Sequence, residues 1–139
     1  MAVRPAVHLA IPVDDLSAAR RFYGGVLGLD EGRSTDHWID WNLHGHQLVT
    51  HLAADRGSRQ LSEVDGHPVP IPHFGLLLPV EQFHALADRL RAAGTDFVLP
   101  PYRRYPGQPA EQWTMFFHDP AGNALEFKAF LDQSQVFAR

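Results

Sequence analysis

Cysteine is absent from the 139 residues. Disulfides, zinc ribbons, iron–sulfur clusters and thiol nucleophiles are therefore excluded. Lysine is nearly absent, since Lys128 is the single lysine among 12 basic residues. With 16 acidic residues the net charge is −4, and no basic cluster occurs. Such a chain has little with which to displace counterions from a phosphate backbone, so no nucleic-acid partner is expected. No apolar run approaches the roughly 18 residues of a membrane-spanning helix. The opening Met1-Ala2-Val3-Arg4-Pro5 lacks the apolar core of a signal peptide. No membrane partner and a cytoplasmic location are expected. GxGxxG, P-loop and HExxH motifs and a Ser/His/Asp ordering are missing, so nucleotide and hydrolase motifs have no support.

What is present is ordinary for a folded globular chain: 45% hydrophobic and 20% charged residues. The length suits one domain with a sizeable core. Nine histidines stand out. They supply metal ligands, and they also make chance patterns easy, so spacing and facing must carry the argument.

Residues 6–11 predict a strand, and Asp14-Asp15 a helix N-cap. Leu16, Ala19, Tyr23 and Val26 follow at helical spacing, closed by Gly24, Gly25 and Gly28. Three strands are expected at 29–33, 37–43 and 46–53. Residues 54–72 carry Gly66, Pro68, Pro70 and Pro72 and read as a linker or surface loop. The pattern then repeats. A strand at 73–78 leads to a helix with Phe83, Leu86, Ala87, Leu90 and Ala93 on one face and Gly94 beyond its end. Strands at 96–99, 111–118 and 123–130 follow, the last after the turn Asp119-Pro120-Ala121-Gly122. The fold class expected is α+β: two βαβββ modules forming a cupped mixed sheet, helices on the outer face. The chain is read as a single domain, 1–139, with a first module at 5–55, a linker at 56–71 and a second module at 72–130.

Strand alternation then sorts the polar residues. His8 lies opposite Val7, Leu9 and Ile11. His73 lies opposite Phe74, Leu76 and Leu78, and Glu126 opposite Leu125, Phe127 and Ala129. Each of the three is thus expected on the face away from its helix, in a cup lined by small neighbours. Two imidazoles and a carboxylate meeting there make a facial triad that leaves positions open on an octahedral ion. Fe(II), Mn, Co, Ni and Zn all suit it, and purely structural roles for these residues also fit. Counting from Gly45 and Gly122, Val49 corresponds to Glu126.

His51 shares a face with Val49 and Gln47 and is the candidate acid/base. His46 points to the other face. His37, His44, His67, His84 and His118 are expected at solvent-exposed positions. Lys128, Tyr102 and Arg103 are candidates for holding an anionic or aromatic substrate, the last two in a rim loop that also carries Arg104 and Tyr105. Trp113 is a candidate for the cup wall.

Three segments, VHLAIPVDDLSAARRFYGGVLGL at 7–29, PHFGLLLPVEQFHALADRLRAAGTDF at 72–97 and FFHDPAGNALEF at 116–127, resemble the vicinal oxygen chelate superfamily. That superfamily includes glyoxalase I, bleomycin-resistance proteins, fosfomycin-resistance enzymes and extradiol dioxygenases. The resemblance covers about residues 5–130. It implies a divalent metal in the cup, a small-molecule substrate and a homodimer. It also puts the ligand positions at His8, Val49, His73 and Glu126. Glyoxalase I has Glu or Gln where this chain has Val49, and valine cannot bind a metal. The remaining His/His/Glu set is similar to that of ring-cleaving dioxygenases, with Fe(II) favoured, and of fosfomycin-resistance thiol transferases. Gln47 and Val49 would then line the substrate pocket. A glyoxalase-like lyase or isomerase, and a metal-free ligand-binding protein of the bleomycin-resistance type, are the alternatives.

Overall fold

The structure is a computed structural model that describes residues 4–55 and 60–139. The chain divides into two compact units, Met1–Gly57 with Asp119–Asn123, and Ser58–His118 with Ala124–Arg139. Each holds a four-stranded mixed sheet. In the first, strands β1 (His8–Val13), β2 (Asp30–Ser34), β3 (Trp38–Leu43) and β4 (His46–Leu52) stand in the order β1-β4-β3-β2. In the second, β7 (His73–Phe74), β8 (Leu99–Arg104), β9 (Gln112–His118) and β10 (Ala124–Phe130) stand in the order β7-β10-β9-β8. The two orders are the same once each four-stranded sheet is counted from its own first strand. In both, the first strand runs parallel to the last.

The first helix starts where Asp15 Oδ1 accepts from the Ala18 amide at 3.0 Å. Helix α1 (Leu16–Ala19) passes directly into a π-helical stretch, Arg20–Val26. The wider winding shows in the 2.9 Å bond from Leu27 N to Phe22 O, five residues back. It carries Tyr23 onto the sheet, where its ring meets Trp41 at 5.9 Å. Tyr23, Ile39 and Leu48 are fully buried there. The Tyr23 hydroxyl donates to Asp119 Oδ2 at 2.7 Å. Asn123 Nδ2 donates to the same oxygen at 2.9 Å and to Pro12 O at 2.8 Å. Burial pushes the Tyr23 phenol well above its ordinary value, and Asp119 adds to the rise.

In the second unit, α2 (Val80–Ala92) buries Phe83, Ala87 and Leu90. It ends in a Schellman motif: Thr95 N bonds Leu90 O, Gly94 N bonds Arg91 O, and Gly94 sits at φ +76°. The sheet face toward α2 carries Trp113, Met115 and Phe117 from β9 and Leu125 and Phe127 from β10.

Three expectations change. The strand expected at 73–78 shortens to His73–Phe74, with an isolated bridge from Leu77 to Lys128. Where Gly66, Pro68 and Pro70 predict a loop, strands β5 (Gln60–Val64) and β6 (His67–Ile71) pair as an antiparallel hairpin. Asp65 and Gly66, both with positive φ, form its two-residue turn. Pro68 and Pro70 are two apart, so both missing amides point to one side, and β6 pairs on its other side with β5. Likewise the strand expected at 96–99 begins only at Leu99 and does not stop at Pro100-Pro101. β8 runs on to Arg104 through an irregular register between Leu99 and Tyr102, which an edge strand tolerates. Tyr102 and Arg103 therefore stand on a strand, not in a rim loop.

Candidate metal centre

In the second unit, β7 lies alongside β10 because Gly75 has no side chain. A Cβ there would fall 2.7 Å from the Glu126 carbonyl carbon and inside the space of its carbonyl oxygen. The close approach brings His73 Nε2 to 3.3 Å from Glu126 Oε1. Each group is held from behind. His73 Nδ1 lies 2.8 Å from Pro70 O, which only accepts, so Nδ1 donates there and Nε2 is the ring nitrogen turned toward Glu126. Thr114 Oγ1, wholly buried, donates to Glu126 Oε2 at 2.6 Å, leaving Oε1 outward. The His73 ring stands edge-on to Phe116 at 4.9 Å. Lys128 Nζ lies 3.8 Å from the same Oε1.

Two metal-capable atoms so placed suit a cation. Donors about 2.0–2.2 Å from one ion can be at most roughly 4.4 Å apart, and 3.3 Å lies within that limit. The bonds from Pro70 and Thr114 are the kind that fix the tautomer and the aim of metal ligands.

In the first unit, the β1–β4 register sets His8 beside Gln47. His8 Nδ1 meets Gln47 Oε1 at 2.8 Å, which leaves Nε2 outside that contact. Both side chains are exposed. Val49, buried, sits between Ala10 and Asp40, and His51, exposed, between Pro12 and Trp38. A shallow cavity of about 450 Å³ runs beside Gln47, lined by Asp30, Glu31, Asp40 and Asn42 among others. His46 Nδ1 accepts from Val7 N at 2.9 Å, a structural bond.

The structure thus brings together two of the three expected ligands, His73 and Glu126, with Lys128 beside them. Among the described residues no group of three or more His, Cys, Asp or Glu side chains is placed to hold a metal ion. Tyr102 pairs across to Thr114 and so shares the face of Glu126 and Lys128. Burial pushes its phenol upward, Arg104 pulls it back, and Asp65 and Glu126 add to the rise. Arg103 and Trp113 stand on the opposite face. Trp113 packs on His84 at 4.8 Å and Phe83 at 6.3 Å, with the Arg103 guanidinium 5.9 Å over its ring. Of the histidines expected in solvent, His37, His44 and His118 are exposed. His84 and His67 are half-buried, the latter against Tyr102 at 5.6 Å. Thr114 and Asp40 were not expected at either site. Their only signal is cross-strand register, which needs the pairing of distant segments.

The profile of the Glyoxalase/Bleomycin resistance protein/Dioxygenase superfamily matches residues 6–127. The chain belongs to this superfamily. A glyoxalase/bleomycin resistance protein/dioxygenase from Alicyclobacillus acidocaldarius is 34% identical, covering 96% of each chain with a TM-score of 0.77. The fosfomycin resistance protein FosX of Listeria monocytogenes is 16% identical over 97% of this chain and 100% of its own, with a TM-score of 0.73. FosX from Mesorhizobium loti is also 16% identical, over 97% and 99%, with a TM-score of 0.69. At that identity the two FosX structures show a shared fold alone. A comparison with curated proteins finds no match. Members of the superfamily generally bind divalent metals, and they commonly form dimers and bind small molecules. Among the described residues no helix is long and apolar enough to cross a membrane.

Proposed function

We propose that this chain is a divalent-metal-dependent enzyme acting on a small oxygen-bearing substrate, with His8, His73 and Glu126 as its protein ligands. One observation carries the reading. His73 Nε2 and Glu126 Oε1 converge at 3.3 Å while Pro70 and Thr114 hold their other polar atoms. His8 has the same kind of orienting bond, from Gln47. A divalent metal held by these residues, Fe(II) favoured, would supply Lewis-acid polarisation of substrate oxygens. The chain does the rest. Tyr102, partly exposed on the same face as the ligand pair, offers ring surface that suits a planar substrate. Val49 keeps its position on the other unit's sheet apolar, and His51 accepts the proton of a substrate hydroxyl at an imidazole nitrogen. The reaction class favoured is dioxygenase-like oxidation, by a homodimer in the cytoplasm.

Elemental analysis of protein purified without added metal tests the ligand set. Wild type is expected to hold one divalent ion per chain, and His73→Ala and Glu126→Gln to lose it with circular dichroism unchanged. Full metal content in His73→Ala overturns the assignment. Oxygen uptake on catechols tests the reaction class. Bound metal without uptake points to transfer or isomerisation, and the absence of any metal points to a ligand-sequestering protein.

A further inference from the structure

The charges around Glu126 balance as they stand. Arg104 Nε is paired with Asp65 Oδ2, and Arg104 Nη2 donates to the Tyr105 hydroxyl at 2.8 Å. Lys128 has Glu126 as its ion-pair partner, at 3.8 Å. Arg104 lies opposite Gln112 and Lys128 opposite Thr114, so both cations stand on the Glu126 face. Two positive and two negative side chains cancel.

A divalent ion held by His73 and Glu126 upsets this balance. It adds two charges and takes from Lys128 the oxygen that neutralises it, because Oε2 is already committed to Thr114. Lys128 cannot leave the face. Its amide bonds Leu76 O at 3.1 Å and its carbonyl accepts from Leu78 N at 2.7 Å, so the strand fixes its Cα beside the ligand. Its side chain is 28% exposed, which leaves the ammonium room to turn toward a ligand in the open part of the site. A compact ammonium next to a dication is repelled by it, and an anion between them removes that repulsion.

Resting on the metal-dependent reading above, we propose that Lys128 is an anion-binding residue of this site. The substrate then presents a negatively charged oxygen (carboxylate, phosphonate or phenolate) to Lys128. Until such an anion arrives, Lys128 serves as the counter-ion of Glu126 and opposes the metal. Metal and anion therefore bind cooperatively, each tightening the other by the same factor.

The test is Mn(II) titration of the full chain, with free Mn(II) read by electron paramagnetic resonance, with and without methylphosphonate as a compact dianion. Wild type is expected to bind Mn(II) about tenfold or more tightly with methylphosphonate present, within the usual range for coupled sites. Ethylene glycol, a neutral diol, should give no such gain. Lys128→Met should bind Mn(II) alone more tightly than wild type and lose the methylphosphonate effect, while Lys128→Arg keeps most of it. Lys128→Met that retains the full effect overturns the proposal, as does wild type that binds Mn(II) with no response to the anion. In both of those cases the metal-dependent reading stands. If wild type binds neither Mn(II) nor Fe(II), Co(II) or Zn(II), both readings fall, and the anion-free titration alone shows it.

Discussion

Gly75 is the position where one methyl group should undo both fold and site. Its Cβ would stand 2.7 Å from the Glu126 carbonyl carbon, whereas non-bonded carbons settle near 3.5–4.0 Å, so β7 and β10 must part by roughly 0.8 Å or more. The 3.1 Å bond from Lys128 N to Leu76 O would then pass 3.5 Å and cease to be one. Two such ladder bonds at about 1 kcal/mol each, with overpacking of about 1–3 kcal/mol, put the cost of Gly75→Ala at roughly 3–5 kcal/mol. That is a large part of a total stability of about 5–15 kcal/mol and a fall in Tm of roughly 10–15 °C. The obstacle is backbone, so no rotamer change relieves it. The same displacement draws His73 away from Glu126, so metal affinity should fall together with stability. Urea unfolding and metal titration of the one variant measure both. Gly25→Ala is the control, since its Cβ meets nothing within 4 Å and should change stability by no more than about 1 kcal/mol. Gly75→Ala with the wild-type urea midpoint and metal affinity would refute the reasoning.

Three further outcomes are expected. Thr114→Val removes the donor to Glu126 Oε2, and metal affinity should drop about 10- to 100-fold by calorimetry while the fold persists. Thr50→Val leaves the buried Trp41 indole N–H without its 3.1 Å acceptor, and denaturant unfolding should show a loss of about 1–3 kcal/mol. Tyr23→Phe probes alkaline stability. The raised Tyr23 pKa means that the folded state holds a proton the unfolded state gives up above its ordinary value of 10.0. That contribution is complete below pH 10 and is lost as pH rises toward the folded pKa, at up to about 1.4 kcal/mol per pH unit. Tyr23→Phe should be less stable at pH 7, and its unfolding free energy should fall less steeply above pH 10. Equal slopes in the two proteins would contradict the burial argument. Tyr102, also pushed upward, leaves both with a smaller slope.

The elements that were legible in the sequence are those whose signal is local. Helix α2 shows in the spacing of Phe83, Ala87 and Leu90 and in Gly94 at its end. The turn before β10 shows in Asp-Pro-Ala-Gly, and period-two alternation assigns Glu126 and Lys128 to one face. The hairpin at Gln60–Val64 and His67–Ile71 is not legible in the sequence because proline weakens a strand reading wherever it occurs. Only pairing shows that both missing amides face away from the partner strand. The same proline signal predicts a loop at Tyr102, and alternation predicts a pocket wall at Trp113 because it does not say which face a helix covers.

Sequence alone determined the doubled βαβββ pattern and which strand faces carry the apolar side chains. Those properties depend on neighbours a few bonds away. Tertiary structure decided what each chemical group touches: Thr114 behind Glu126, Pro70 behind His73, Gln47 behind His8, and Lys128 sharing the oxygen that faces His73. These contacts join residues on different strands, or across the bend that leads into a strand. Register and close approach set them, through Gly75 above all, and no pattern along the chain encodes a distance across it.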